Sequence, residues 1–331
     1  MIWMTWRQHR REALIFAALL AAFALYLIVL GRAMYVDFYH AIGGKSPALC
    51  LQRQDYNEVC GNIINAFISK YSVNTQPALL WFIILPPLLG MFIGAPLVAR
   101  ELETGTFRLI WTQSVTRLRW LLTKVILLVV ALALVFAAFI PLIFWWKGPF
   151  AMGGESMMIG GQGYPIMGIL PFAYTIFALA LGLAAGALLR RTVPAMLVTL
   201  GGYIAVALAI WNWGRQNWLP PVITTWNPYA SNGPTNFKNS DWILYQGYVN
   251  QAGQRVGFGD AFSACAPNGQ LDDHVGSTFN ACIQSHGWLS TVVWQPADRF
   301  WAFQAIESAV LIGLAVALLA LTIWLVRRRI S

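Results

Sequence analysis

Charge is what this 331-residue chain has least of. Only 11% of its residues are Asp, Glu, Lys or Arg, against about 25% in a soluble globular protein. That scarcity, with 58% hydrophobic residues, excludes a water-soluble domain. Chemistry-bearing residues are also few. There are four histidines, His9, His40, His274 and His286, and none has a ligand-spaced partner, so no metal site is expected. HExxH, GxSxG and paired CxxC motifs are absent. Ile42-Gly43-Gly44-Lys45-Ser46 ends like a phosphate loop, but Tyr39 stands where the earlier glycine is required. No recognisable catalytic constellation stands out, and neither nucleotide binding nor a cofactor bound by this chain is expected.

Long apolar runs are what it has instead. A bilayer core of about 30 Å needs roughly 20 helical residues. Six segments reach that length: Ala13–Leu30, Pro77–Ala99, Leu121–Trp146, Ile166–Leu189, Ala195–Trp213 and Phe303–Val326. The runs are continuous rather than alternating, which argues for helices and against a closed barrel. The expected fold is therefore an all-α polytopic membrane protein with six transmembrane helices.

Basic residues set the expected orientation. With the N-terminus in the cytoplasm, Arg7, Arg10, Arg11, Arg100, Arg108, Arg117, Arg119, Lys124, Arg190, Arg191, Arg327, Arg328 and Arg329 all fall on the inner side. Only Glu12, Glu101 and Glu103 oppose them there. The net charge of +9 is thus a topology signal, with both termini cytoplasmic, and not a sign of nucleic-acid binding. Residues 1–12 read as a short amphipathic helix on the inner surface. Trp3 and Trp6 would lie at headgroup depth, with Arg7, Arg10 and Arg11 toward anionic membrane lipids. A plain positive flank that sets orientation is the simpler alternative.

The outer connections span residues 31–76, 147–165 and 214–299. The first and last are long enough to form an extracellular cap, the last expected to be irregular with short helices. All four cysteines fall in these two, which argues for disulfides on an oxidising face. Three pairings are open; the local ones, Cys50–Cys60 and Cys265–Cys282, are favoured because short loops close at low entropic cost. Within the spans, Gly90-Met-Phe-Ile-Gly94 and Gly182-Leu-Ala-Ala-Gly186 permit close helix approach, and Pro86-Pro87 should kink the second span. Apart from Lys124 at the inner rim, one ionisable residue lies inside a span: Glu307. It reads as a polar group lining an outer gate or pairing with Arg299, or else as a rim carboxylate reaching water.

The segment 100–118 joins the second and third spans. Gly105 allows a turn, Thr106 can cap a short helix, and Phe107, Ile110 and Trp111 fall on one face at i, i+3 and i+4. Such a rigid stub, flanked by carboxylates, is suited to docking on a cytoplasmic partner.

These residues carry a resemblance. Glu101-Leu-Glu103-Thr-Gly105-Thr106, followed by Thr116-Arg117 and Lys124, resembles the E-x-E-x-G-T segment of ABC-2 type permeases, the membrane subunits of ATP-binding-cassette exporters with the type V fold. Trp294–Glu307 is similar to a bacterial subgroup with long outer loops. The resemblance implies a connecting helix over 1–12, a six-span permease domain over 13–331 and a coupling helix within 100–118. It implies two copies, or one copy with a related permease, in a bacterial plasma membrane. A separate ATPase subunit would bind ATP and Mg, and this chain would bind neither. Glu101 and Glu103 would supply polar contacts to that subunit, Phe107, Leu109 and Trp111 apolar ones, with Gly105 and Thr106 shaping the turn and Arg108 and Arg117 flanking it. The cargo would be lipophilic or amphipathic, such as a drug, antibiotic, lipid or peptide. Two other readings are a sensory or immunity membrane protein whose cap binds a ligand, and a membrane enzyme with an extracellular site among Asp260, Asp272, Asp273, His274, His286 and Asp298.

Overall fold

The structure is a computed structural model. It describes residues 2–41, 58–104, 117–152, 163–227, 241–265 and 275–328. Among them, six helices are long and apolar enough to cross a membrane: Ala17–Ala41, Leu80–Glu103, Leu121–Phe150, Leu170–Leu189, Thr192–Asn217 and Ala297–Arg327. All six expected spans are therefore helical, several of them longer than the apolar runs alone suggested.

The excess length is clearest at the start. Helix α1 runs unbroken from Ile2 to Ala41, so the short segment 1–12 and the first span are one rod. Trp3, Trp6, Arg7, Arg10 and Arg11 lie on it, and their side chains fall outside the described residues. Helix α2 begins at Glu58, well before the apolar run, and reaches Leu89. The connection expected at 31–76 is consequently helical at both ends. Polar residues hold those ends together: Asp37 accepts hydrogen bonds from Lys70 and, at 2.6 Å, from the Tyr71 hydroxyl. The bond to Asp37 raises the Lys70 pKa, so Lys70 is charged at neutral pH and its contribution to the contact is lost as pH climbs through that raised value. Phe67 packs on Phe38, Tyr71 and Phe150 alongside.

Directly after Pro86-Pro87 the second span passes through a π-helical turn, Gly90–Gly94, and resumes as α3, Ala95–Thr104. Proline removes backbone donors and local rewinding re-pairs what remains. The third span is α4, Arg117–Met152. Next come α5, Leu170–Leu189, and α6, Thr192–Ala209, which continues through a second π turn, Ile210–Gly214. Two further helices, α7 (Phe258–Cys265) and α8 (Val275–Ser285), precede the final span, α9, Phe300–Arg328.

The chain divides into two compact units: residues 1–156, 165–210 and 304–331 form one, and 157–164 with 211–303 form the other. In the first, α5 is the most enclosed helix, and the two glycine pairs noted in the sequence face one another across it. A Cβ placed on Gly182 would lie 2.3 Å from the carbonyl oxygen of Gly90, and one on Gly90 would lie 2.5 Å from that of Ala178. Backbones touch here because neither residue has a side chain.

In the second unit the sequence reading anticipated an irregular cap, and the structure has a sheet. Strands β1 (Val222–Trp226), β2 (Trp242–Val249), β3 (Arg255–Gly257) and β4 (Leu289–Gln295) form it in the antiparallel order β1-β4-β2-β3. Val222 pairs with Trp294 and Thr225 with Thr291, while Tyr245 pairs with Val293 beyond a bulge in β2. The β-branched and aromatic runs VITTW, WILYQGYV and LSTVVWQ are strand-forming sequence. Central β4 buries Thr291, Val292, Val293, Trp294 and Gln295. Helices α7 and α8 are joined by the Cys265–Cys282 disulfide, one of the two expected. The other, Cys50–Cys60, lies outside the described residues.

Candidate functional site

The expected coupling segment is reached through α3, Ala-Pro-Leu-Val-Ala-Arg-Glu-Leu-Glu-Thr. Its small and apolar residues alternate on a helical period, and each set has a neighbour. Ala95 and Ala99 pack with Ala185 of α5 and Ala195 of α6. A Cβ on Gly186 would lie 2.6 Å from the Ala95 carbonyl oxygen, so α3 and α5 nearly touch. Val98 joins Leu121 of α4, Leu183 and Ala187 of α5, and Leu325 and Val326 of α9 in one buried cluster. Four helices therefore meet one short helix immediately before the segment 105–116.

Two carboxylates at the end of α3 complete this hub. Glu101 forms an ion pair with Lys124 of α4, Oε1 to Nζ 2.6 Å, with both side chains about three-quarters buried. Its second oxygen, Oε2, is buried and has no hydrogen-bond partner among the described residues. The pair ties together the two helices on either side of residues 105–116. Lys124→Glu would set two carboxylates against each other and is expected to cost about 1–2 kcal/mol, most of it recovered by the reversal Glu101→Lys with Lys124→Glu. Unfolding midpoints in detergent for the single and double variants check this.

Glu103 is bound elsewhere. Its Oε2 accepts from the backbone N–H of Thr192 at 3.0 Å and from the Thr192 hydroxyl at 2.7 Å. Thr192 is the first residue of α6, and the residue ahead of it, Arg191, supplies no side-chain cap. Helix α5 ends on Arg190 in the left-handed conformation, φ 55°, which turns the chain sharply into α6. The exposed N–H groups of a helix start attract an anion, and here the anion comes from 89 residues away.

The sequence-derived site residues fall out as follows. Glu101 and Glu103, assigned to a partner subunit, each hold another helix of the same chain. Gly105, Thr106, Phe107, Arg108, Leu109 and Trp111 lie outside the described residues; Arg117 opens α4, and its side chain is likewise not described. Thr192 was missed, although a threonine two residues before a proline is a helix-start signal; its partner could not be read locally.

Glu307 lies in a second polar group. It is 0% exposed, so it is not a rim carboxylate reaching water, and its Oε1 accepts from the Tyr174 hydroxyl at 2.7 Å. One turn earlier, Gln304 Oε1 accepts from the N–H groups of Ile169 and Leu170 at 3.1 and 3.3 Å, capping α5. Arg299, the expected partner of Glu307, instead donates to Gln295 and to the Pro220 carbonyl.

One cluster departs from the sequence expectation about metals. Donor atoms of Cys265, Cys282 and His286 lie within 4.8 Å of one another. The two sulfurs are bonded to each other, which leaves one imidazole and no thiolate ligand.

Among family models, one described as ABC-2 membrane transporter related matches residues 17–215, more than half of the chain. No curated protein and no solved structure matches it.

Proposed function

The chain belongs to the ABC-2 membrane transporter related family, and on that premise we propose that it is the permease subunit of an ATP-binding-cassette exporter. It is a multi-pass membrane protein, with six helices among the described residues long and apolar enough to cross a bilayer. In this reading both termini and the 100–118 segment face the cytoplasm, the excess of arginine on that side setting the orientation. A separate ATPase subunit docks beneath the segment, and two permease copies, or one with a related permease, complete the transporter. Closure of the ATPases drives the spans between inward and outward access. Glu307, buried on α9 and bonded to Tyr174 of α5, would respond to that change as a gate residue. The cargo is lipophilic or amphipathic, as the family reading suggests for a permease with an apolar interior.

One observation carries the proposal: α3, at the mouth of the coupling segment, packs on α4, α5, α6 and α9 together. A force applied there reaches four spans with no flexible linker between them.

The test is purification of the tagged chain from its own membranes in mild detergent, followed by photolabelling with azido-ATP. A nucleotide-labelled ATPase subunit in near-stoichiometric amount is the expected result. A permease that purifies with no nucleotide-binding chain, under conditions that preserve its fold, overturns the reading.

A further inference from the structure

We infer that Glu103 is a positioning residue: a latch that passes movement of the coupling segment to the base of the fifth span, through hydrogen bonds to Thr192 and not through charge contact with another subunit. The inference rests on the permease reading above.

The geometry forms a closed triangle. Helix α3 is held to α5 by backbone contact at Gly186 and Ala95. The αL residue Arg190 links α5 to α6 with no slack. Glu103 closes the third side, from the last turn of α3 to the first residue of α6. Its position is one residue before Thr104, where α3 ends and the coupling segment begins.

Helix α6 is built to respond. Its buried residues, Ala195, Thr199 and Tyr203, follow at i, i+4 and i+8. They form one narrow stripe, and Val193, Leu197, Val198, Ile204 and Leu208 are exposed. A helix held along one stripe can tilt about it, and a bond at its first residue has the longest lever arm. Glu101 and Lys124 brace the other foot of the segment, so a push on residues 105–116 is shared by α3, α4 and α6.

The bond is made by an acceptor oxygen, and this separates the latch from a docking contact. Glutamine keeps an oxygen that accepts from both Thr192 donors while losing the charge. Alanine loses both. A docking contact to basic residues of an ATPase would suffer equally from either change.

Two measurements test it. In the permease alone, hydrogen exchange at the first turn of α6 should quicken at least several-fold in Glu103→Ala and stay near the parent rate in Glu103→Gln, since only alanine uncaps the helix. Unchanged exchange in the alanine variant overturns the latch, whatever subunit the permease binds. In the ATPase complex reconstituted in vesicles, Glu103→Ala should lower cargo moved per ATP by about five- to tenfold, with ATPase affinity held within about twofold. Glu103→Gln should restore most of the coupling, and Glu103→Ala with Thr192→Val should be no worse than Glu103→Ala alone. Equal damage by glutamine and alanine, with loss of ATPase binding, would make Glu103 a docking charge instead. If no ATPase binds the parent chain, the permease reading fails, and the exchange result still decides the latch.

Discussion

Gly182→Ala is expected to lower the stability of the helical unit by about 2–3 kcal/mol, from a single added methyl group. The methyl carbon would sit 2.3 Å from the Gly90 carbonyl oxygen, 2.7 Å from the Ala95 nitrogen and 2.9 Å from the Gly94 carbonyl carbon. All three are backbone atoms, so no rotamer change relieves the overlap and the two spans must separate. In a bilayer, close packing is a principal force holding helices together, because apolar side chains gain little by leaving lipid. Separation therefore loses contacts along the whole seam from Gly90 to Ala99. Gly182→Leu should yield little folded protein. Gly90→Ala meets the same seam at 2.5 Å from Ala178, so the double variant should cost less than the sum of the singles, since separation is required only once. Gly201→Ala is the control. Nothing lies within 4 Å of its Cβ position, and alanine favours helix by up to about 1 kcal/mol. Unfolding titrations in mixed micelles give these differences, and a neutral Gly182→Ala would refute the seam.

The second large effect is expected in the other unit. Cys265→Ala with Cys282→Ala should cost about 3 kcal/mol of local stability, the value for a cross-link closing a loop of this length. The two cysteines are 17 residues apart and join the end of α7 to α8. Beyond the bond, α7 and α8 meet through Phe258, which is exposed, and Phe262 and Phe279, which are partly buried. That is a small apolar contact for two short helices. Loss of the cross-link should release α8 and raise amide exchange over 258–285 by roughly two decades. The sheet should hold, because β4 is paired on both sides. The helical unit should be unaffected, its packing being separate. Exchange measured with and without reductant distinguishes these regions; uniform loosening of the whole chain would contradict the assignment.

Both predictions concern features that the linear chain shows as spacing and the fold turns into contact. The glycine pairs at 90 and 94 and at 182 and 186 were legible as permissive for close approach, but nothing in either run says which helix it meets. The six spans, their approximate ends and the excess of arginine on one side were legible too, because the energetics of a helix in lipid depend mainly on its own residues. The Cys265–Cys282 pair followed from loop entropy, another local quantity. The sheet could have been read from VITTW, WILYQGYV and LSTVVWQ; its strands lie up to 72 positions apart, and the order β1-β4-β2-β3 is set by pairing across that distance.

Glu101 and Glu103 show where local reading stops, because their partners within the chain lie far along it. The sequence by itself determined that two carboxylates end the second span, and that the chain is a six-span membrane protein, since membrane burial and helix periodicity are properties of contiguous residues. Only the tertiary structure decided what those carboxylates hold: Lys124 in one case, the start of α6 in the other. A carboxylate takes whatever donor the fold brings within about 3 Å, and that donor was 89 positions away.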